Sequence, residues 1–125
     1  MEGKEDNLFL VVLRTGLENP SLIRSALMFA TLAAAMDQEP VLYCVQQGAD
    51  VMVKGAADQE EVIPGKPTIT QRMAEALEAG VRLEVCEQTA KVRDIRAEDL
   101  VPGAELVGGA KLIDYAIRAR GTLTF

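Results

Sequence analysis

Two cysteines, Cys44 and Cys86, stand in a chain of 125 residues that contains no histidine. Without imidazole, Ser-His-Asp and Cys-His catalysis, imidazole proton shuttling and every His-containing zinc site are excluded. Two cysteines do not build a four-thiolate metal site either. What remains is chemistry on thiolates, carboxylates, Lys and Arg, hydroxyls or backbone, and no metal or cofactor is expected.

The two thiols sit in different surroundings. Cys44 lies within VLYCV (41–45), among apolar neighbours, and reads as a small buried hydrophobe. Cys86 closes VRLEVC (81–86), where Val81, Leu83 and Val85 share one parity while Arg82, Glu84 and Cys86 share the other. That alternation predicts a strand more exposed on one face than its apolar neighbours. EQTAKVRDI follows as a short helix, whose first N–H groups and dipole favour a thiolate. Lys91, Arg93 and Arg96 add positive potential and Glu87 opposes it. Cys86 thus reads either as a reactive thiol at a sheet rim or as a partly buried strand end without chemistry. A Cys44–Cys86 disulfide is a third arrangement, disfavoured where the compartment keeps thiols reduced.

A nucleophilic cysteine without histidine suits some reactions better than others. Amide or ester hydrolysis calls for a general base that also protonates the leaving group. Sulfur transfer does not, because attacking and leaving groups are both sulfur anions, as in thiol–disulfide exchange. One rim thiol without a resolving partner suits a carrier better than an internally resolving reductase.

The elements that must position this thiol follow an alternating order. Residues 8–13 (LFLVVL) and 41–45 are short apolar runs of the kind found in central parallel strands. Between them Asn19 caps a helix with Pro20 in its first turn. Ile23, Leu27, Ala30 and Ala34 form its stripe, broadened by Leu22, Phe29, Ala33 and Met36, which predicts a largely buried helix. A helical turn is expected at 49–53. Residues 54–67 (KGAADQEEVIPGKP) then read as a polar loop or lid of solvated side chains beside the exit of the second strand, with screening of sulfur on Cys86 as its functional alternative. Thr68 and Gln71 make a capping box, Ile69, Met73, Ala76 and Leu77 a narrow stripe, and Gly80 a stop. Ala110, Ile113, Ala116 and Ile117 mark a last helix, and 122–125 a terminal strand. This order gives a three-layer α/β/α sandwich on a mostly parallel sheet of about five strands, in one domain over residues 1–125. Sites in such sheets lie outside the carboxyl ends of the strands, here at 14–19, 46–50 and 86–89. RTGLENP (14–20) reads as a turn plus helix cap, with an anion cradle at Arg14 and Gly16 as its functional alternative.

Thirteen basic residues stand against nineteen acidic ones, a net charge of −6. That balance opposes nonspecific binding to nucleic acid or anionic membranes. The polar start MEGKEDN is unlike a secretory leader. The longest nearly unbroken apolar run, 26–36, is shorter than the roughly 20 residues of a transmembrane helix. A cytoplasmic protein with reduced thiols is expected, with neither nucleic acid nor membrane as a partner.

With these residues in place the chain resembles the DsrE/DsrF-like (YchN-like) sulfur-relay family, which includes the TusD-type carriers. The match runs nearly end to end, through RTGLENP, AAAMDQEPVLYCV, QQGADVM, GVRLEVCEQTAKVRDI, EDLVPGAELVGGAKLIDYA and TLTF. The resemblance implies a Rossmann-like subunit of a homo-oligomer, a trimer or hexamer, or of a hetero-oligomer. It also implies one cysteine, here Cys86, that takes up sulfur as a persulfide or thiosulfonate and hands it to a partner protein. Thr89 matches the family's small or hydroxyl residue three positions on. Arg93 matches the arginine of a following Arg-Gly pair, whose glycine is replaced by Asp94.

Two functions remain in view. In the first, Cys86 carries sulfur between a donor and an acceptor protein, helped by the N–H groups near Gln88 and Thr89 and by Arg93 with Lys91. In the second, the chain is a noncatalytic small-ligand-binding or assembly subunit and Cys86 is incidental.

Overall fold

The computed structural model describes residues 7–125, so all of the polar start read above except Asn7 lies outside the described residues. Five strands form one sheet: β1 (Leu8–Leu13), β2 (Glu39–Cys44), β3 (Arg82–Cys86), β4 (Ala104–Val107) and β5 (Gly121–Thr124). Their order is β4-β3-β2-β1-β5, and every neighbouring pair is parallel. Helices α1 (Pro20–Ala35), α2 (Ile69–Ala79), α3 (Glu87–Val92) and α4 (Gly109–Arg118) connect them. The three-layer architecture read from the sequence is the architecture present. Among the described residues no helix is long and apolar enough to cross a membrane.

Local chemistry sets the helix ends. The Asn19 side chain accepts from the Leu22 N–H ahead of Pro20. Thr68 and Gln71 exchange both capping-box bonds, and Gly80 closes α2 with φ 97°, a left-handed turn that glycine enters without Cβ strain.

Strand parity divides the core into two clusters. On one face Val11, Leu13, Leu42, Cys44, Leu83 and Val85 pack with Ile23, Ala26, Leu27 and Ala30 of α1 and Ile69, Met73 and Ala76 of α2. On the other, Leu8, Leu10, Val41, Tyr43 and Cys86 pack under Tyr115 of α4.

Four expectations are corrected. The flank of α1 formed by Leu22, Phe29, Leu32 and Met36 is exposed, so its buried stripe is narrow. In α4 the expected stripe is also outside: Ile113 is 60% and Ile117 78% exposed, and the sheet is met by Tyr115 instead. The reason is Glu84. It points at this face, is buried, and needs a donor, which the Tyr115 hydroxyl supplies to both carboxylate oxygens at 2.8 and 3.0 Å. For the same reason β3 is not open along its polar parity; only Arg82 is exposed.

The loop of 54–67 is the fourth correction. Its Glu60 accepts from the α2 N–H of Ile69 at 2.6 Å and pairs with Arg24 of α1 at 2.7 Å. Asp58 accepts from the Thr70 hydroxyl at 2.8 Å. The loop is therefore fastened over the α1/α2 side, the face opposite Cys86, and does not screen that thiol.

Candidate active site

Cys86 ends β3 and serves as the residue before α3, beside the end of β4 in the register Cys86↔Val107. Only 8% of its surface is exposed. Its thiol donates to the Gln88 amide oxygen at 3.4 Å, and the same oxygen accepts from the Gly109 N–H at 3.0 Å. Because Gly109 can only donate, it holds that oxygen, rather than the amide nitrogen, toward the sulfur.

Other groups aim donors at the sulfur. Burial opposes ionisation of Cys86, but the Thr89 N–H and hydroxyl, the Tyr43 hydroxyl and the Gln88 N–H outweigh it and bring the thiol below its ordinary value. Tyr43 lies under the site with a single hydroxyl hydrogen, shared between the Val107 carbonyl at 2.8 Å and the sulfur, and burial together with the neighbouring Cys86 pushes its own pKa far up. Tyr43 therefore stays a neutral donor at ordinary pH. The Gln46 N–H donates to the Thr89 hydroxyl at 3.4 Å, which ties the exit of β2 to α3. Gln46 adopts φ 54°, and its loop folds back so closely that a Cβ on Gly48 would stand 2.2 Å from the Leu13 carbonyl oxygen.

Gln88 and Thr89, which contact the sulfur, also line a hollow of about 240 Å³ together with Gln46, Val92 and Arg93. Arg93 does not point a free charge into it. Its guanidinium grips Asp50 through two bonds, Nε to Oδ1 at 2.9 Å and Nη2 to Oδ2 at 2.7 Å. Val92 is 87% exposed at the rim. Asp94, where a glycine was expected, has φ 61°. Asp enters the left-handed region more readily than most side chains, so the turn closing α3 is kept.

The structure thus gathers Cys86, Gln88, Thr89 and Arg93, and leaves three residues apart. Lys91 is exposed on α3 and does not line the hollow. Arg14 follows β1, its N–H donating to the Phe125 carbonyl. Gly16 donates its N–H to Glu18 at 3.3 Å, so a carboxylate of the chain itself occupies that cradle. Sequence reasoning missed Tyr43 and, although 46–50 was one of the rim regions it named, the pairing of Asp50 with Arg93. Tyr43 carries the parity of Val41 within an apolar run, a position that reads as core; Asp50 is 43 residues from Arg93.

Cys44 lies on the other face. Its strand does neighbour β3, in the register Cys44↔Val85, but the two cysteine side chains project to opposite sides of the sheet and both are free. No disulfide joins them. Full burial pushes the Cys44 thiol up to about 12.

Comparisons with other proteins agree with this architecture. The chain is 30% identical over 112 residues to the uncharacterized protein MJ0760 of Methanocaldococcus jannaschii, covering 90% of this chain and 40% of that one. It therefore spans two fifths of that relative's length. The uncharacterized protein MJ0989 of the same organism is 29% identical over 101 residues, 81% of this chain and 84% of its own. Among solved structures, the ychN protein from E. coli superposes with a TM-score of 0.75 at 17% identity, covering 95% of this chain and 98% of that one. MTH1491 from Methanobacterium thermoautotrophicum gives 0.69 at 14% identity, covering 94% and 97%. These two likenesses establish the fold. The model of the DsrE/DsrF-like family matches residues 7–125, and the chain belongs to that family.

Proposed function

We propose that the protein is a sulfur carrier of a sulfur relay, with Cys86 as acceptor and donor. The observation that carries this reading is the convergence of Thr89, Tyr43 and Gln88 donors on a rim thiol, which favours its thiolate without an imidazole. Membership of a family associated with sulfur relay supports it. The Cys86 thiolate attacks the outer sulfur of a persulfide, R–S–SH. A Cys86 S–S bond forms, the donor's S–S bond breaks, and R–S⁻ leaves. An acceptor's thiolate then attacks the outer sulfur of Cys86–S–SH and releases the Cys86 thiolate. Thr89, Tyr43 and the Gln88 N–H stabilise that thiolate at both ends of the cycle.

The partners are a donor protein and an acceptor protein in the cytoplasm, and the chain works as a trimer or hexamer of itself or within a hetero-oligomer. The exposed Val92, Ile113 and Ile117 support burial against another subunit. The same residues favour the second reading, an assembly or small-ligand-binding subunit in which Cys86 is idle. One experiment separates the two. Reduced protein is incubated with polysulfide, and intact masses are taken for the wild type and Cys86→Ser. A reductant-labile gain of sulfur that requires Cys86 is the expected result; an unmodified Cys86, or sulfur on Cys44, refutes the carrier reading.

A further inference from the structure

The hollow beside Cys86 holds one formally charged lining residue, Arg93. An arginine there is the obvious counter-charge for an anionic sulfur donor, since its planar fork fits oxyanions through paired N–H bonds. Here the Nε/Nη2 edge of that fork is occupied and its charge is paired. Those two donors go to Asp50, at 2.9 and 2.7 Å, and Glu18 contributes further negative potential. The remaining lining groups, Gln46, Gln88, Thr89 and Val92, carry no charge. A dianion entering the hollow would shed water against neutral dipoles, with two carboxylates nearby and no unpaired cation on the walls. A neutral or singly charged group would not meet that cost.

We propose that Asp50 is a specificity-determining residue: by holding Arg93 it denies counter-charge to dianionic donors of the thiosulfate type and leaves Cys86 selective for hydropersulfides, R–S–SH. The inference rests on the reading of Cys86 as a sulfur acceptor. Both reactions balance with the same nucleophile. With a hydropersulfide, the Cys86 thiolate takes the outer sulfur and R–S⁻ departs, so the negative charge handled at the sulfur centre is single. With thiosulfate, the thiolate takes the outer sulfur, the S–S bond breaks, and sulfite departs as a dianion. Only the second path asks the hollow to hold two additional charges, and only there does Arg93 matter.

The test uses the full chain and two donors, sodium thiosulfate and cysteine hydropersulfide, with loading rates read by intact mass. Thiosulfate is the slower reagent toward most thiols, so the measured quantity is the ratio of the two rates in each variant. Asp50→Asn keeps the shape of the side chain and removes its charge, which frees the guanidinium. The thiosulfate-to-hydropersulfide ratio is expected to rise about tenfold at low salt, and the rise to shrink as ionic strength increases. A ratio that stays within about twofold of the wild type overturns the proposal. Should Asp50→Asn fail to fold, Arg93→Gln carries the test. It is expected to leave the ratio no lower than in the wild type, because the wild-type arginine does not serve the donor; a fall of about fivefold or more overturns the proposal. Failure of the underlying reading looks different: neither donor then loads Cys86 in the wild type, and both inferences fall together.

Discussion

Cys44 and Cys86 close neighbouring parallel strands, and Cys44 pairs in register with the residue just before Cys86. One position of parity separates their fates. Cys44 faces α1 and α2, is wholly buried among aliphatic side chains, and burial alone pushes its thiol up to about 12. Cys86 faces the α4 side, where burial is opposed by four hydrogen-bond donors and the thiol is brought down instead. The contrast extends to the faces themselves. The α1/α2 face is built from apolar contacts, whereas the α4 face carries a buried carboxylate, two tyrosines and their partners. A parallel sheet can therefore push the ionisation of two thiols on neighbouring strands in opposite directions, by what covers each side.

The sharpest way to break this comparison is to exchange the two roles. Cys86→Ser is expected to abolish sulfur loading altogether. Cys44→Ala is expected to retain loading while lowering stability by about 1 kcal/mol, as a small cavity opens in a packed face. Loss of loading in a folded Cys44→Ala protein would show that parity does not separate the thiols.

The second test concerns the polar face alone. Tyr115→Phe keeps the ring over Leu8, Leu10 and Val41 but removes the hydroxyl that serves both Glu84 oxygens. A buried carboxylate left without its donor is expected to cost about 2 kcal/mol in urea unfolding. An equally conservative trim on the other face, Ile23→Val, is expected to cost about 1 kcal/mol. A smaller loss from Tyr115→Phe than from Ile23→Val would mean that Glu84 finds another partner.

What the sequence made legible follows the range of the interactions involved. Asn19, Thr68 and Gly80 act on backbone within a turn of themselves, so their caps could be read directly, and the parity of Arg82, Glu84 and Cys86 placed the thiol opposite the aliphatic face. The orientation of α4 could not be read that way. Ile113 and Ile117 make a convincing apolar stripe by spacing, yet the helix turns Tyr115 inward to satisfy a carboxylate 31 residues earlier. Likewise Glu60 draws its loop to Arg24 and away from Cys86, and Asp50 takes up Arg93 across 43 residues. Polar pairs remote in sequence leave no periodicity, and these pairs decided where the expected elements pointed.

A third test sharpens the electrostatic half of the comparison. Because the Cys86 thiol lies below its ordinary value, its thiolate is fully formed at a lower pH than that of a free cysteine, and its alkylation rate should level off correspondingly early as pH rises. Thr89→Val removes the hydroxyl but keeps the N–H, so the profile should move to higher pH. At a fixed pH on its rising limb the rate should fall about threefold. Cys44 should remain unmodified throughout, its pKa lying near 12. An unshifted profile in Thr89→Val would assign the effect to backbone N–H groups and Tyr43.

The smallest effect concerns the turn that holds α3 beneath the hollow. Asp94 follows the helix with φ 61°, and the Ile95 N–H behind it donates to the Ala90 carbonyl at 2.8 Å, which closes the helix end. A residue with a Cβ is strained there and glycine is not. Asp94→Gly relieves that strain but also widens the unfolded ensemble, so the net gain is expected to be only about 0.5 kcal/mol. Thermal unfolding read with and without the substitution checks this, while the alkylation profile of Cys86 reports on the site. The two readouts should separate, with stability rising slightly and the thiol's titration staying in place, because the groups that set it are Thr89, Tyr43 and Gln88. A shift in titration would place the turn among the determinants of thiolate formation. Aspartate at this position would then tune Cys86 as well as close the helix.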